Sequence, residues 1–354
     1  MQNSNRNYLY IEILRIIACF FVIFNHTYTK GFMLFSTRQI GSLSYWIYMF
    51  ISVFCKVSVP LFLMISGALL LGREDDCKKD ILRIGKIVVI LLSFSLFYYL
   101  KSHFGQNFNL NDFIMIFYTK QTSGHLWYLY LYITFLLSLP FLRSMVRNLK
   151  VKYYYTMIVL VLFQKLLIFI EFFFWNGEYR ANNDMLISWL ASNIVIYPCV
   201  GYFLHNKTEE NGIKKQDILL SLTMCLFGLF LSCLLTHRRA LFLGSCDETN
   251  AQTFHNTFIL FVCIALFISV KHFCGIVKIG KNIENFIREI GGVTFGIYLL
   301  HMFFLNEILE KTDIFRKLGI NDMIVTIFAV IITMVLGSIG TIILKKIPIV
   351  NRLI

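Results

Sequence analysis

Glu12-Ile13-Leu14-Arg15-Ile16-Ile17-Ala18-Cys19-Phe20-Phe21-Val22-Ile23-Phe24-Asn25-His26 is an apolar helix-forming run that carries a carboxylate, a guanidinium and an imidazole. Ionisable groups inside a bilayer cost a few kcal/mol each on insertion scales, so a chain that keeps them on one apolar helix is expected to use them. At about 100° per residue, the step from Arg15 to His26 is about three turns. Both side chains therefore lie on one face, some ~16 Å apart.

The rest of the chain has the same solvent preference. Of 354 residues, 57% are apolar and only 15% charged, with 36 Phe and 18 Tyr, more apolar surface than a soluble core requires. The expected class is all-α: a polytopic membrane bundle formed by residues 1–354 as one domain. Apolar runs near 11–29, 43–71, 84–102, 125–146, 153–174, 187–205, 217–236, 254–270, 292–308 and 322–344 predict about ten transmembrane helices. The second run is overlong and holds Lys56 and Pro60, which predicts a tilt or kink. The first lacks a small-x-small cleavage site and reads as a retained helix. Loops stay short, so no separate soluble domain is expected.

Alternating the loops between faces sorts the basic residues. Twenty Lys and Arg, from Arg6 to Arg352, fall on the side of the termini and ten on the other. The densest groups are Arg73, Lys78, Lys79, Arg83 and Lys86 after the second run, and Arg143, Arg147, Lys150 and Lys152 after the fourth. Both termini are accordingly expected in the cytoplasm. The net charge of +13 then reflects topology and contact with anionic lipids, and no basic soluble module points to nucleic acid. Seven of the nine cysteines lie in or beside apolar runs, and Cys246, in an outward loop beside Asp247 and Glu248, has no obvious partner; no disulfide framework or zinc spacing emerges.

Sorted by depth, His26, His125, His301 and Glu307 fall in the outer half of the expected bundle, whereas Arg15 and the basic segment after the second run fall at its inner face. In that segment Lys79, Arg83 and Lys86 recur at i, i+4, i+7, one helical stripe suited to phosphates. A histidine has the pKa to take a proton from a hydroxyl and return it to a leaving group near neutral pH. A base outside and a polyphosphate site inside suggest group transfer across the membrane from a cytoplasmic donor. There is no G-x-S-x-G elbow, H-E-x-x-H pair, Walker loop or His-x4-Asp signature, and no metal site is expected.

Four stretches, in this order, resemble membrane acyltransferase family 3, the bacterial O-acetyltransferases of surface polysaccharides. They are Tyr10-Ile11-Glu12-Ile13-Leu14-Arg15 with His26; Val59-Pro60 through Ser66-Gly67; His125-Leu126-Trp127-Tyr128; and Phe295-Gly296-Ile297-Tyr298-Leu299-Leu300-His301. The resemblance implies a ten-helix bundle in a bacterial cell membrane that passes an acetyl group from acetyl-CoA to a glycan or lipid-linked sugar hydroxyl at the outer face. The family's arginine and histidine map onto Arg15 and His26, and its basic pair after the second span onto Lys79 and Arg83, where arginine is common at both places. Glu12 stands where an Asp is usual, and its carboxylate remains within i, i+3 reach of Arg15. In the same context His125, Trp127, Tyr298 and His301 are expected to line the acceptor cavity, with Glu12, Tyr298 or His301 orienting or stabilising charge at His26.

Each residue also has a purely structural alternative. His26 could be an interhelical hydrogen-bonding residue, Arg15 could snorkel, the basic stripe could be topology alone, and Trp127 with Tyr128 could form an interfacial belt. Tyr298 and His301 could tie the ninth span to the first. For the whole chain, a transporter or flippase of a lipid-linked sugar also suits ten spans with a polar cavity, although no internal repeat is visible. A membrane sensor is a third possibility, with no soluble partner domain in this chain. Lys56, Lys165 and Glu171 also interrupt apolar runs; Lys165 and Glu171, six apart, do not share a helical face.

Overall fold

The computed structural model describes residues 8–246 and 254–353. Arg6, Asp247 and Glu248 lie outside the described residues, as does the side chain of Lys207. The described residues are all-α, with short 3-10 turns. In chain order the helices are α1 (Leu9–Asn25), α2 (Leu43–Cys55), α3 (Ser58–Leu70), α4 (Cys77–Ser102), α5 (Leu110–Thr119), α6 (Trp127–Asn148), α7 (Val151–Trp175) and α8 (Asn193–Asn211). They continue with α9 (Lys215–Leu243), α10 (Ile259–Ile276), α11 (Lys281–Gly291), α12 (Thr294–Lys311), α13 (Asp313–Lys317), α14 (Asp322–Lys345) and α15 (Pro348–Leu353).

Seven of the described helical segments are long and apolar enough to cross a membrane, and α11 with α12–α13, bent by 61°, makes an eighth when the pair is counted as one span. Two of the ten expected spans fall outside that set. They correspond to α1, with 17 residues, and α8, whose sequence ends in Lys207, Glu209 and Glu210. The overlong second run is a single crossing, Leu43–Leu70, broken between α2 and α3 at Lys56 and Val57. Pro60 sits in the first turn of α3, where a missing N–H costs least. The basic segment after it, which precedes the expected helical run 84–102, is the start of α4, because Asp76 caps that helix by accepting the Lys79 N–H at 3.1 Å.

α1 ends at Asn25, four residues before the expected end of the first span. Thr27 explains the stop: its hydroxyl donates to the Phe24 carbonyl at 2.7 Å and accepts the Phe32 N–H at 2.9 Å, which folds the chain back. Tyr28 then takes a left-handed backbone conformation, φ 46°. Asn25 ties this end of α1 to the broken span, its amide donating to the Cys55 carbonyl and the Ser58 hydroxyl, both at 3.0 Å. The carbonyl freed at the break is thereby satisfied inside the protein.

α1 is the central strut, packed against α3, α10, α11, α12 and α14. The adjoining crossings are close because small residues face backbone. A Cβ on Gly67 of α3 would lie 2.0 Å from the Pro198 carbonyl oxygen of α8, and one on Gly201 of α8 would lie 2.1 Å from the Met64 carbonyl oxygen. Gly296 of α12 likewise abuts Thr341 of α14. Lipid tails supply no hydrophobic drive between helices, so such contacts are what dispersion and close approach require. They also account for glycine at two places in the family-like stretches, Ser66-Gly67 and Phe295-Gly296.

Candidate functional site: two cavities meeting at an aromatic waist

His26 is the residue that closes α1, its N–H bonded to the Ile23 carbonyl at 3.0 Å. Its ring meets two others from distant parts of the chain. The His301 ring of α12 is 5.2 Å away between centroids and the His125 ring 6.5 Å, while His125 and His301 are 4.8 Å apart. His125 stands in the 3-10 turn Gly124–Leu126 that begins α6, with Nδ1 at 3.0 Å from the Ser123 hydroxyl. His301 donates from Nδ1 to the Tyr298 carbonyl at 2.6 Å; in the neutral ring that tautomer leaves the lone pair on Nε2. Among the described residues, Nε2 of neither His125 nor His301 meets a hydrogen-bond partner. Tyr298 donates its hydroxyl to the His125 carbonyl at 2.6 Å and Tyr98 donates to the Leu299 carbonyl at 2.9 Å, so the cluster is braced from two sides.

His26 and His125 line a cavity of about 430 Å³, with Trp127, Tyr128 and Tyr298. Its other polar lining includes Asn25, Ser58, Lys56, Lys165, Asn193 and Thr257. His301 lies behind this wall, fully buried. Tyr298 bonds to the start of α6 and does not bridge to α1; His301 is the side chain of α12 that reaches the end of α1.

Arg15 lines a second cavity, of about 560 Å³, together with Arg73, Arg83 and Lys86. Arg15 Nη1 donates to both oxygens of Glu12, at 2.8 and 3.1 Å, and Glu12 packs against Gly291, where a Cβ would come within 2.2 Å of its Oε2. Fourteen residues of helix, about 21 Å, separate Glu12 from His26. Glu12 thus sits with Arg15 at the far end of α1 and is remote from the three imidazoles. Arg83 pairs with Asp80 at 2.6 Å, and Asp80 is gripped from its other side by the buried Arg143 at 2.5 and 3.1 Å. Lys79, one turn before Arg83, does not line this cavity: it is exposed and paired with Asp76 at 2.8 Å, and its hydrogen bond holds that carboxyl below the usual carboxylate range. Of the expected stripe, Arg83 and Lys86 line the cavity.

Three residues line both cavities: Phe62, Tyr128 and Tyr298. Tyr128 stands between the other two, with ring centroids 6.1 Å from Phe62 and 5.6 Å from Tyr298. This aromatic waist divides a chamber with imidazoles from a chamber with four cationic side chains, and α1 spans the two.

Sequence inspection singled out His26, His125, His301, Tyr298 and Trp127, and the fold brings all five together. It did not single out Arg73 or the Asp80–Arg143 pair. The i, i+3 spacing of Asp80 and Arg83 is a local signal, but Arg143 is 63 residues from Asp80 and no local spacing links the two. Lys56 and Lys165, unassigned from sequence, both line the His26 cavity. Glu171 does not; it is buried and 3.7 Å from Arg180.

A family model described as an acyltransferase domain, of the acyltransferase 3 type, matches residues 8–343. No curated protein and no solved structure matches the chain.

Proposed function

The chain belongs to the acyltransferase 3 family and is a multi-pass membrane acyltransferase, and from that premise we propose that it carries an acetyl group from cytoplasmic acetyl-CoA to a hydroxyl of a cell-surface or lipid-linked glycan. The observation that carries this reading is the division of α1 between two chambers, Arg15 in the cationic one and His26 in the imidazole one. In this orientation both termini are cytoplasmic, α1 and α8 complete ten spans, and the cationic chamber opens where basic residues are densest. The motif set is similar to that of enterobacterial common antigen O-acetyltransferase, which makes a bacterial surface glycan the preferred acceptor.

The phosphates of the donor bind Arg15, Arg73, Arg83 and Lys86, with Glu12 holding the Arg15 guanidinium in place. The pantetheine arm passes the waist at Phe62, Tyr128 and Tyr298 and presents the thioester to His26. His26 takes the proton from the acceptor hydroxyl as its oxygen attacks the thioester carbonyl carbon. The C–S bond then breaks, and the departing CoA thiolate takes a proton from the imidazolium, so ester and free CoA are the products. Acyl transfer through a transient acetyl-His26 gives the same balance in two steps. His125 and His301 orient the His26 ring, and Trp127 offers a face to the acceptor sugar.

The test uses membranes containing wild type or His26→Ala at matched abundance, with labelled acetyl-CoA and the host's surface glycan. The expected result is label in the glycan with wild type and a fall of roughly 100- to 10,000-fold with the variant. Equal labelling would remove His26 as the base; unlabelled glycan with an altered distribution across the membrane would favour a flippase.

A further inference from the structure

Lys165 lies in the middle of α7, a 25-residue apolar span, and lines the His26 chamber. It is partly buried, and among the described residues no hydrogen bond or ion pair engages its ammonium. An unpaired cation at such a depth is retained at a cost unless an anion comes to it. Among the described residues, the chamber lining contains Lys56 and Lys165 but no Asp or Glu. Lys56 is already placed over the Phe32 ring, 4.2 Å from its centroid. The other polar lining includes Asn25, Ser58, Asn193 and Thr257, neutral side chains of the hydrogen-bonding kind that sugar hydroxyls use. Trp127 adds a partly exposed aromatic face beside His125.

We infer that the His26 chamber binds a glycan bearing an anionic oxygen group, a sugar carboxylate or the phosphate of a lipid carrier, and that Lys165 is the residue that holds it. The inference rests on the acyl-transfer reading only for the fate of the bound hydroxyl; the anion site itself stands on the geometry of the chamber. Lys165 is a specificity residue, distinct from the imidazoles.

Binding to the detergent-solubilised full chain tests it. The probes are an oligosaccharide of alternating hexuronate and hexosamine, its carboxyl-reduced counterpart, an undecaprenyl-diphosphate-linked sugar, and the same sugar on neutral undecaprenol. Wild type is expected to prefer one anionic probe over its neutral partner by roughly 10- to 100-fold, the size of a charge-assisted hydrogen bond. Lys165→Met is expected to abolish that preference and Lys165→Arg to keep it, with acetyl-CoA binding unchanged in both as evidence that the fold is intact. A preference for the hexuronate identifies a sugar carboxylate, and one for the diphosphate identifies the carrier. No preference in wild type, or a preference that survives Lys165→Met, overturns the inference. Lys165-dependent binding of a glycan that is never acetylated upholds the anion site and overturns the acyl-transfer reading.

Discussion

Asp80 illustrates how one carboxylate organises the cationic chamber. It accepts from Arg143 on one side and Arg83 on the other, so the side chain that presents Arg83 to the cavity is itself anchored to a guanidinium only 1% exposed. Removing one partner of a buried pair leaves the other charge uncompensated, which costs more than the pair contributes. Asp80→Ala is therefore expected to destabilise the protein by about 3 kcal/mol and to raise the KM for acetyl-CoA through a displaced Arg83. Thermal unfolding in detergent and donor-dependent kinetics measure the two effects; an unchanged melting temperature would mean that Arg143 finds water or another acceptor. The three imidazoles obey a different rule at the same scale. Their ring centroids lie within 4.8 to 6.5 Å of one another, but the residues belong to the end of α1, the turn before α6 and the middle of α12, so no local spacing joins them.

At the scale of helices, the crossing of α3 and α8 sets where the waist lies. Phe62 of α3 is six residues from the break at Lys56 and five before Gly67, where α3 comes closest to α8. Gly67→Ala places a methyl group against backbone, which cannot swing aside as a side chain can. It is expected to cost about 3 kcal/mol as overpacking, read as a lower melting temperature and lower abundance. Gly275→Ala in α10, where nothing stands within 4 Å of the added carbon, is the matched control and is expected to be neutral or slightly stabilising. Equal melting temperatures in the two variants would mean that the α3–α8 approach tolerates the added methyl group and does not govern the site.

For the molecule as a whole, the proposed transfer between chambers would pass the aromatic waist. Tyr128 is the ring common to both contacts there, with Phe62 and with Tyr298, and it lines both cavities. Tyr128→Ala widens the passage, so longer acyl chains on the donor are expected to be accepted, with the kcat/KM ratio for butyryl-CoA over acetyl-CoA rising roughly tenfold. Competition between the two donors measures it, and an unchanged ratio would place the limit on acyl length elsewhere in the imidazole chamber.

Much of this was legible in one dimension. A composition that excludes a soluble core dictates a helical membrane bundle, because backbone groups in lipid must be satisfied within the helix. The period of the helix puts Arg15 and His26 on one face, and the order of the motifs points to the acyltransferase 3 family, which the match over residues 8–343 bears out. Helix ends were less legible: α1 stops at Asn25 because a threonine hydroxyl competes with the backbone, and α4 starts at Cys77 because an aspartate caps it, both side-chain events within an otherwise continuous pattern. What tertiary structure alone decided is which distant residues share a chamber. Arg73 joins Arg15, Lys79 stays outside the cavity, Lys165 joins His26, and His125 and His301 close around it. These outcomes depend on crossing angles and heights fixed by close contacts such as Gly67 against Pro198 and Gly296 against Thr341. Apolar surface facing lipid and apolar surface facing another helix are chemically alike, so the sequence states that the helices exist but leaves their neighbours to packing.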